Sequence, residues 1–301
     1  MSDILIPGGF EATDFYGNRV SKRIVEDRDT HPYTEQGMIS GSKLADAPLN
    51  IILKMLGIGQ EFDAYTLGKF RRGHSTEAEL VELFTGLSRQ EQVPGVWLEP
   101  TIKTVLLGNV MLQAEPVKSY RGMTNSVDLI EDVGEGLIVH EIKSATKSAY
   151  DYVGAVGKGM YEYTYNYTTK KRQRSGKRSP EPKEHNCIQV ASYALSTWHK
   201  PVLKTVLHYI NADDYRMISF EIDPQAYKPE IDREIDAVQF AFETKQLPKF
   251  VPLYKWQSGK YNSFEEWEKL SEPELMAKLK GDYLEAYEKF MTTRITDNGK
   301  E

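Results

Sequence analysis

Cysteine is almost missing from this chain. Cys187 is its one occurrence in 301 residues, so no intramolecular disulfide can staple the fold. That suits a reducing compartment. Long apolar runs are missing too: none approaches the roughly 18 residues that a membrane span needs. The opening Met1-Ser-Asp-Ile-Leu-Ile-Pro-Gly-Gly9 is too short and too acidic for a secretory leader. No membrane role is expected, and a cytoplasmic location is. Nor is there an excess of positive charge, since 38 Lys and Arg face 44 Asp and Glu for a net charge of −6. A surface basic on all sides, as for a general nucleic-acid binder, is therefore excluded. No repeat is evident.

What is present is a 40% apolar, 27% charged chain, enough for one large domain or a domain with an appendage. Its most informative stretch runs Ser126-Val-Asp-Leu-Ile130, then the acidic turn Glu131-Asp-Val-Gly-Glu-Gly136, then Leu137-Ile-Val-His-Glu-Ile-Lys-Ser144. Asp128 and Glu141 are nearly equidistant from the middle of the turn, so an antiparallel hairpin sets them side by side. Alternation puts Glu141 and Lys143 on one face of the second strand and Ile138, His140 and Ile142 on the other. Two acids and an ammonium on strands that must be buried are costly for folding alone. A site for a divalent metal and a phosphate needs that grouping. Two other E-x-K copies, Glu181-Pro-Lys183 and Glu243-Thr-Lys245, lack the β-branched setting and the Asp one hairpin upstream.

Two further segments bear on the same site. Arg71-Arg-Gly-His-Ser-Thr-Glu77 opens an amphipathic helix through Phe84, with Leu80, Val81, Leu83 and Phe84 as its apolar side. Glu77 is expected to point inward from the first turns. Downstream, His185-Asn-Cys-Ile-Gln-Val-Ala-Ser-Tyr-Ala194 reads as a helix with Gln189 and Tyr193 one turn apart on one face. A second Q-x-x-x-Y, Gln257 to Tyr261, contains Gly and precedes no apolar helix.

This order of G-x-x-x-E, D, E-x-K on a strand and Q-x-x-x-Y on a helix resembles the PD-(D/E)XK nuclease superfamily. Within it the chain is most similar to the RecB-type exonuclease branch, with its CRISPR-associated and phage recombination exonucleases. The resemblance spans about 73–223. It implies an α/β fold, a central mixed β-sheet flanked by helices, as a restriction-endonuclease-like core with helical additions at both ends. It also implies Glu77, Asp128 and Glu141 as ligands of Mg²⁺ or Mn²⁺, joined by the backbone carbonyl of Ile142. Lys143 becomes the catalytic lysine, with Gln189 and Tyr193 supporting the site and positioning DNA. The expected activity is a metal-dependent DNA exonuclease acting at ends in recombination, repair or phage replication, in a bacterial or phage-infected cell. An endonuclease of the same superfamily, or an inactive DNA-binding protein on the same fold, is the alternative. There are departures. Gly122 stands six residues before Asp128, where many relatives place a Gly two or three before it. His74 is three residues off the register in which the family often has His at the Glu77 position. Branches with an iron–sulfur cluster carry four cysteines, so no such cluster is expected here.

The chemistry can also be argued from the residues. Phosphodiester hydrolysis requires an in-line water, charge neutralisation and help for the leaving alkoxide. Mg²⁺ prefers oxygen ligands, and carboxylates supply them. Lys143 either orients or deprotonates the water, or holds a nonbridging oxygen. Arg71 and Arg72 are expected to meet DNA. Lys170, Lys171, Arg172, Arg174, Lys177, Arg178 and Lys183 crowd a segment with Ser, Gly and Pro that reads as a mobile loop, which either overhangs the site and grips phosphates or is a solvated charged loop without a binding role. Just before it, Tyr161, Tyr163, Tyr165 and Tyr167 alternate, so on a strand they share a face. They either stack on the bases of a single strand or pack against a neighbouring helix. The expected partner is thus DNA, single-stranded or with free ends, with a homo-oligomer or a recombination protein left open.

The remainder reads as scaffold. A helix is expected over 42–56 with Leu44, Leu49, Ile52 and Leu56 inward, and strands or mixed structure over 96–114. Two strands over 204–210 and 216–222 are joined by Asn211-Ala-Asp-Asp-Tyr215. An amphipathic helix covers 231–242. The acidic, aromatic 265–293 is helical, packed on the core or used for oligomerisation. The division expected is an N-terminal arm and helix (1–60), a nuclease core (61–250) with the basic loop 168–185, and a C-terminal helical extension (251–301).

Overall fold

The computed structural model describes residues 4–6, 10–12, 39–58, 64–103, 106–166, 170–253 and 264–295. Gln257, Tyr261 and Tyr167 lie outside them. Strands β1 (Ile4–Ile6) and β2 (Phe10–Ala12) form a small antiparallel pair. Helices α1 (Pro48–Met55) and α2 (Ala64–Thr85) lead to strands β3 (Trp97–Leu98), β4 (Asn109–Ala114), β5 (Val127–Asp132) and β6 (Leu137–Ala145). After helix α3 (Lys147–Val153) come strands β7 (Tyr161–Asn166) and β8 (Lys171–Lys177). Helix α4 (Glu184–Ala194), strands β9 (Val202–Asn211) and β10 (Met217–Glu221), and helix α5 (Pro224–Thr244) follow. Helices α6 (Glu265–Glu268), α7 (Glu272–Asp282) and α8 (Leu284–Thr292) close the described chain.

The central sheet has six strands in the order β10-β9-β6-β5-β4-β3. Every neighbouring pair is antiparallel except β6 and β9, which run parallel. A parallel pair needs a long crossover, and here it carries α3, the β7–β8 hairpin and α4. The sheet is therefore mixed and flanked by helices, as expected. On one face Cys187, Val190 and Tyr193 of α4 pack with Val139, Ile130, Leu207 and Tyr209. On the other, Leu80, Val81 and Phe84 of α2 pack with Leu129, Ile142 and Ile210. A further apolar cluster joins α1 and α5 to the C-terminal helices through Leu49, Ile52, Val238, Phe242, Trp267 and Phe290. The C-terminal helices thus pack on the molecule itself.

Four expectations need correction. The helix expected over 42–56 begins only at Pro48, because a proline is tolerated in the first turn but not inside a helix. The four apolar residues named for that stretch are nonetheless buried. Helix α2 starts at Ala64, well before Arg71, so Glu77 sits in its middle rather than its first turns. Leu83 is 58% exposed. Glu77, Val81 and Phe84 fall at i, i+4 and i+7 on one stripe, and position 83 falls outside it. Finally, the basic segment 168–185 is not a loop throughout, since Lys171–Lys177 forms β8 against the tyrosine strand β7. The β-prone Tyr and Thr residues of β7 supply a partner whose backbone groups those of β8 must satisfy.

Candidate active site

Strands β5 and β6 pair from Asp132↔Leu137 to Leu129↔His140, and that ladder stops one position short of setting Asp128 opposite Glu141. There the Asp128 side chain takes over. Its Oδ2 accepts the Ile142 backbone N–H at 2.8 Å. The carbonyl of Ile142 turns to the same edge of β6, as the N–H and C=O of one residue do in an antiparallel pair.

On β6, Glu141 is 1% exposed. Its Oε1 accepts the ammonium of Lys143, two residues on along the same face, and Gln189 Nε2 at 2.8 Å. Gln189 Nε2 also donates to the Tyr193 hydroxyl at 2.7 Å. Oε2 of Glu141 is buried, beside the Asp128 carboxyl that shares a hydrogen bond with this side chain. Gln189 and Tyr193 lie one turn apart on α4, so the helix that covers the sheet delivers both to the strand carboxylate.

The electrostatics follow from this crowding. Burial first, then the neighbouring Asp128 carboxylate, pushes Glu141 up to about 8, against the pull of Lys143. Burial also raises Asp128, against Lys143, the Ile142 N–H and a hydrogen bond with the Glu141 side chain. Glu77 is pushed up to about 7 by burial and by Asp128, while Lys143 pulls it down. Lys143 itself is raised: desolvation acts downward, and the carboxylates of Glu141 and Asp128 outweigh it. Glu77, from the helix over the opposite sheet face, thus joins Asp128, Glu141 and Lys143 through charge.

Three carboxylates and a backbone carbonyl form an all-oxygen donor set suited to a hard divalent cation. The mutual repulsion of the acids is what such an ion would relieve. Among the described residues, however, no three His, Cys, Asp or Glu side chains stand ready-made around an ion. The hydrogen bonds give the reason. Lys143 and Gln189 occupy one oxygen of Glu141 and the Ile142 N–H one of Asp128, so binding requires these side chains to exchange partners.

The other named residues stand elsewhere. Arg71 and Arg72 are exposed. Arg72 is tied to the turn between β9 and β10, donating to Ala212 O at 3.0 Å and to Asp213 Oδ1 at 2.7 Å. Tyr163 and Tyr165 on β7 are exposed, as are Lys170, Lys171 and Arg174 on or beside β8. The backbone of Arg172 lies in β8 and its side chain is outside the described atoms.

Several buried polar groups around the site escape a sequence reading. Tyr209 on β9 lies opposite Lys143 in the parallel register. Its hydroxyl accepts from the Lys183 N–H at 3.0 Å and from Asn186 Nδ2 at 2.7 Å, fastening the start of α4. Behind Glu141, His140 Nδ1 meets His208 Nε2 at 3.0 Å and His140 Nε2 meets Glu131 Oε2 at 3.4 Å. Glu131, expected in the turn, ends up in β5 and 3% exposed. Burial acts to raise its pKa, but hydrogen bonds from His140 and from the Gly108 and Leu107 N–H groups outweigh it and hold it low. Burial and His140 keep His208 neutral by pushing it down to about 3. Only a His alternating with Glu141 hinted at this network, and its partners come from strands whose register the sequence does not reveal.

No protein-family model and no curated protein matches the chain. Among solved structures it is similar to SSO0001, with 16% identity and a TM-score of 0.40 over 73% of this chain and 86% of that one. It is also similar to an alkaline exonuclease, LHK-Exo, from Laribacter hongkongensis, with 17% identity and a TM-score of 0.40 over 70% and 90%. The complex of LHK-Exo with dAMP gives 16% identity and a TM-score of 0.37 over 70% and 90%.

Proposed function

We propose that the chain is a metal-dependent deoxyribonuclease that hydrolyses phosphodiester bonds at DNA ends. The observation that carries this reading is the buried carboxyl of Glu141, held by Lys143 and Gln189 against the Asp128 carboxyl. Two acids sharing one ammonium, Glu141 fully buried and Asp128 half-buried, cost the fold free energy that a further cation would offset. Glu77, Asp128, Glu141 and the Ile142 carbonyl would hold Mg²⁺ or Mn²⁺. Bound there, the ion supplies positive charge against the phosphodiester and polarises water.

The protein's own groups do the rest. Lys143 is 27% exposed, its ammonium held on Glu141. Its raised pKa suits a donor to a nonbridging phosphate oxygen better than a base taking a proton from water. Gln189 orients Glu141, and Tyr193 holds Gln189. The preference for ends follows from the motif resemblance, which also suggests recombination, repair or phage replication as the setting.

The test incubates the chain and its Lys143→Ala variant with Mg²⁺ or Mn²⁺ and DNAs labelled at either end, linear and circular. The expected result is loss of linear DNA only, with cleavage abolished and DNA binding kept in the variant. Nicking of circles would point to an endonuclease. No cleavage of any substrate, or cleavage retained by the variant, would overturn the assignment.

A further inference from the structure

The crossover between β6 and α4 carries the β7–β8 hairpin, and its register has a consequence for substrate choice. Tyr161 pairs with Lys177 and Glu162 with Gly176, but Tyr163 then pairs with Arg174 and Tyr165 with Arg172. Ser175 is skipped, which marks a one-residue bulge in β8. Without it, continuation of the first pairs would set Ser175 opposite Tyr163 and Gln173 opposite Tyr165. A one-residue slip transfers side chains to the other face of a strand. The bulge therefore sets Lys177 and Arg174 opposite Tyr161 and Tyr163, on the face that Tyr161, Tyr163 and Tyr165 share. Glu162 alternates to the other side.

The rings on this face are open: Tyr163 is 45% exposed and Tyr165 48%. Arg174 lies with its guanidinium 4.1 Å from the centre of the Tyr161 ring, an arrangement that keeps a cation beside the aromatic row. The hairpin stands apart from the central sheet as its own two-stranded unit. Its base is fixed close to the site. Arg178 N–H donates to Met160 O at 2.9 Å, the Arg178 side chain donates to Tyr152 O at 3.1 Å, and Glu181 N–H donates to Val153 O at 2.9 Å. Lys183 then reaches Tyr209, the neighbour of Lys143.

We infer that this hairpin is a grip for unpaired DNA, in which Tyr163 and Tyr165 stack on bases while Arg174 and Lys177 take the phosphates. Geometry favours a single strand over a duplex. Residues two apart on a strand are separated by about 6.7 Å, twice the roughly 3.4 Å rise of a stacked DNA strand. Successive bases reach both rings only from a strand that is unstacked and stretched. In a duplex, each base face is already covered by its neighbours. The positive face concentrates on one hairpin of a chain whose net charge is −6, which is how an acidic protein can still attract a polyanion. As a statement of which DNA the site receives, the grip rests on the nuclease reading.

The experiment uses the full chain carrying Lys143→Ala, so that DNA survives, with and without Tyr163→Ala and Tyr165→Ala. Fluorescence anisotropy reads binding of a labelled single-stranded oligonucleotide and of a blunt duplex of the same length. The expected result is a loss of tenfold or more on the single strand and less than about threefold on the duplex, from the roughly additive stacking of two bases. Tyr163→Phe with Tyr165→Phe, which keeps the rings, is expected to restore single-strand binding. Unchanged melting temperatures show that the fold is intact. Equal losses on both DNAs, no loss, or failure of the phenylalanine pair to restore binding overturns the grip. If the tyrosines matter for binding but the unmutated chain cleaves nothing, the grip stands and the nuclease reading falls. If the unmutated chain cleaves but binding does not depend on the tyrosines, the grip falls and the nuclease reading stands.

Discussion

Gln189 illustrates what one side chain does at this site. Its amide donates to both Glu141 and Tyr193, so it sets where the carboxylate stands and how strongly it holds a positive partner. Removing a group that orients a metal ligand typically weakens metal affinity by about 10–100-fold. Gln189→Ala is accordingly expected to raise the Mn²⁺ concentration for half-saturation by that factor, measured by calorimetric titration. An unchanged titration would deny Gln189 this role. In the sequence, Gln189 and Tyr193 are visible as a same-face pair, and Asp128, Glu141 and Lys143 as charges in a hairpin. The sequence does not reveal Tyr209 or the His140–His208 contact, because β9 meets β6 and the start of α4 only through the parallel crossover. Local spacing carries no record of that pairing.

Elements carry the next layer of constraint. Strand β4 reaches the edge of β5 through Gly108, whose N–H donates to Glu131 Oε1 at 2.8 Å. A Cβ added at Gly108 would stand 1.7 Å from the Asp132 carbonyl oxygen, a backbone atom that cannot move aside. Gly108→Ala should push β4 away from β5, leave Glu131 short of a donor, and cost about 3 kcal/mol. Urea unfolding checks this, and a loss below about 0.5 kcal/mol would show that the strands separate without strain. The elements themselves were largely legible: β5, β6, β9, β10 and α4 fall where periodicity puts them, and α5 begins at Pro224, seven residues before the expected 231. Helix α2 is longer than its motif suggests, because 64–70 continues the helix ahead of the residues that drew attention. The basic segment misleads for a different reason. Charge and Gly argue for a loop, and the pairing with β7 overrides them.

For the molecule as a whole, the acids crowded on the sheet link stability to pH. Glu77 and Glu141 both have folded-state pKa values raised above the ordinary carboxylate value, to about 7 and about 8. The folded chain therefore holds protons that the unfolded chain releases. Stability from these groups is fully present below about pH 4.5 and declines as pH rises to about 8. A divalent cation reverses the trend, since it favours the ionised acids and competes with protons. The stabilisation given by millimolar Mn²⁺ is expected to be larger at pH 8.5 than at pH 6, read as the shift in melting temperature. Equal shifts at the two pH values, or none, would count against an ion held by these residues.

The order of motifs, the alternation that aligns Glu141 with Lys143, and the i, i+4 pairing on α4 are properties of the chain itself. They follow from the fixed geometry of strands and helices, which any stretch of sequence must obey. Tertiary structure alone decided that α2 brings Glu77 across to the sheet, that Glu131 is drawn inside, and that a bulge turns Arg174 toward the tyrosines of β7. Each of these depends on how distant segments meet, which burial and backbone pairing settle only once the whole chain is in place.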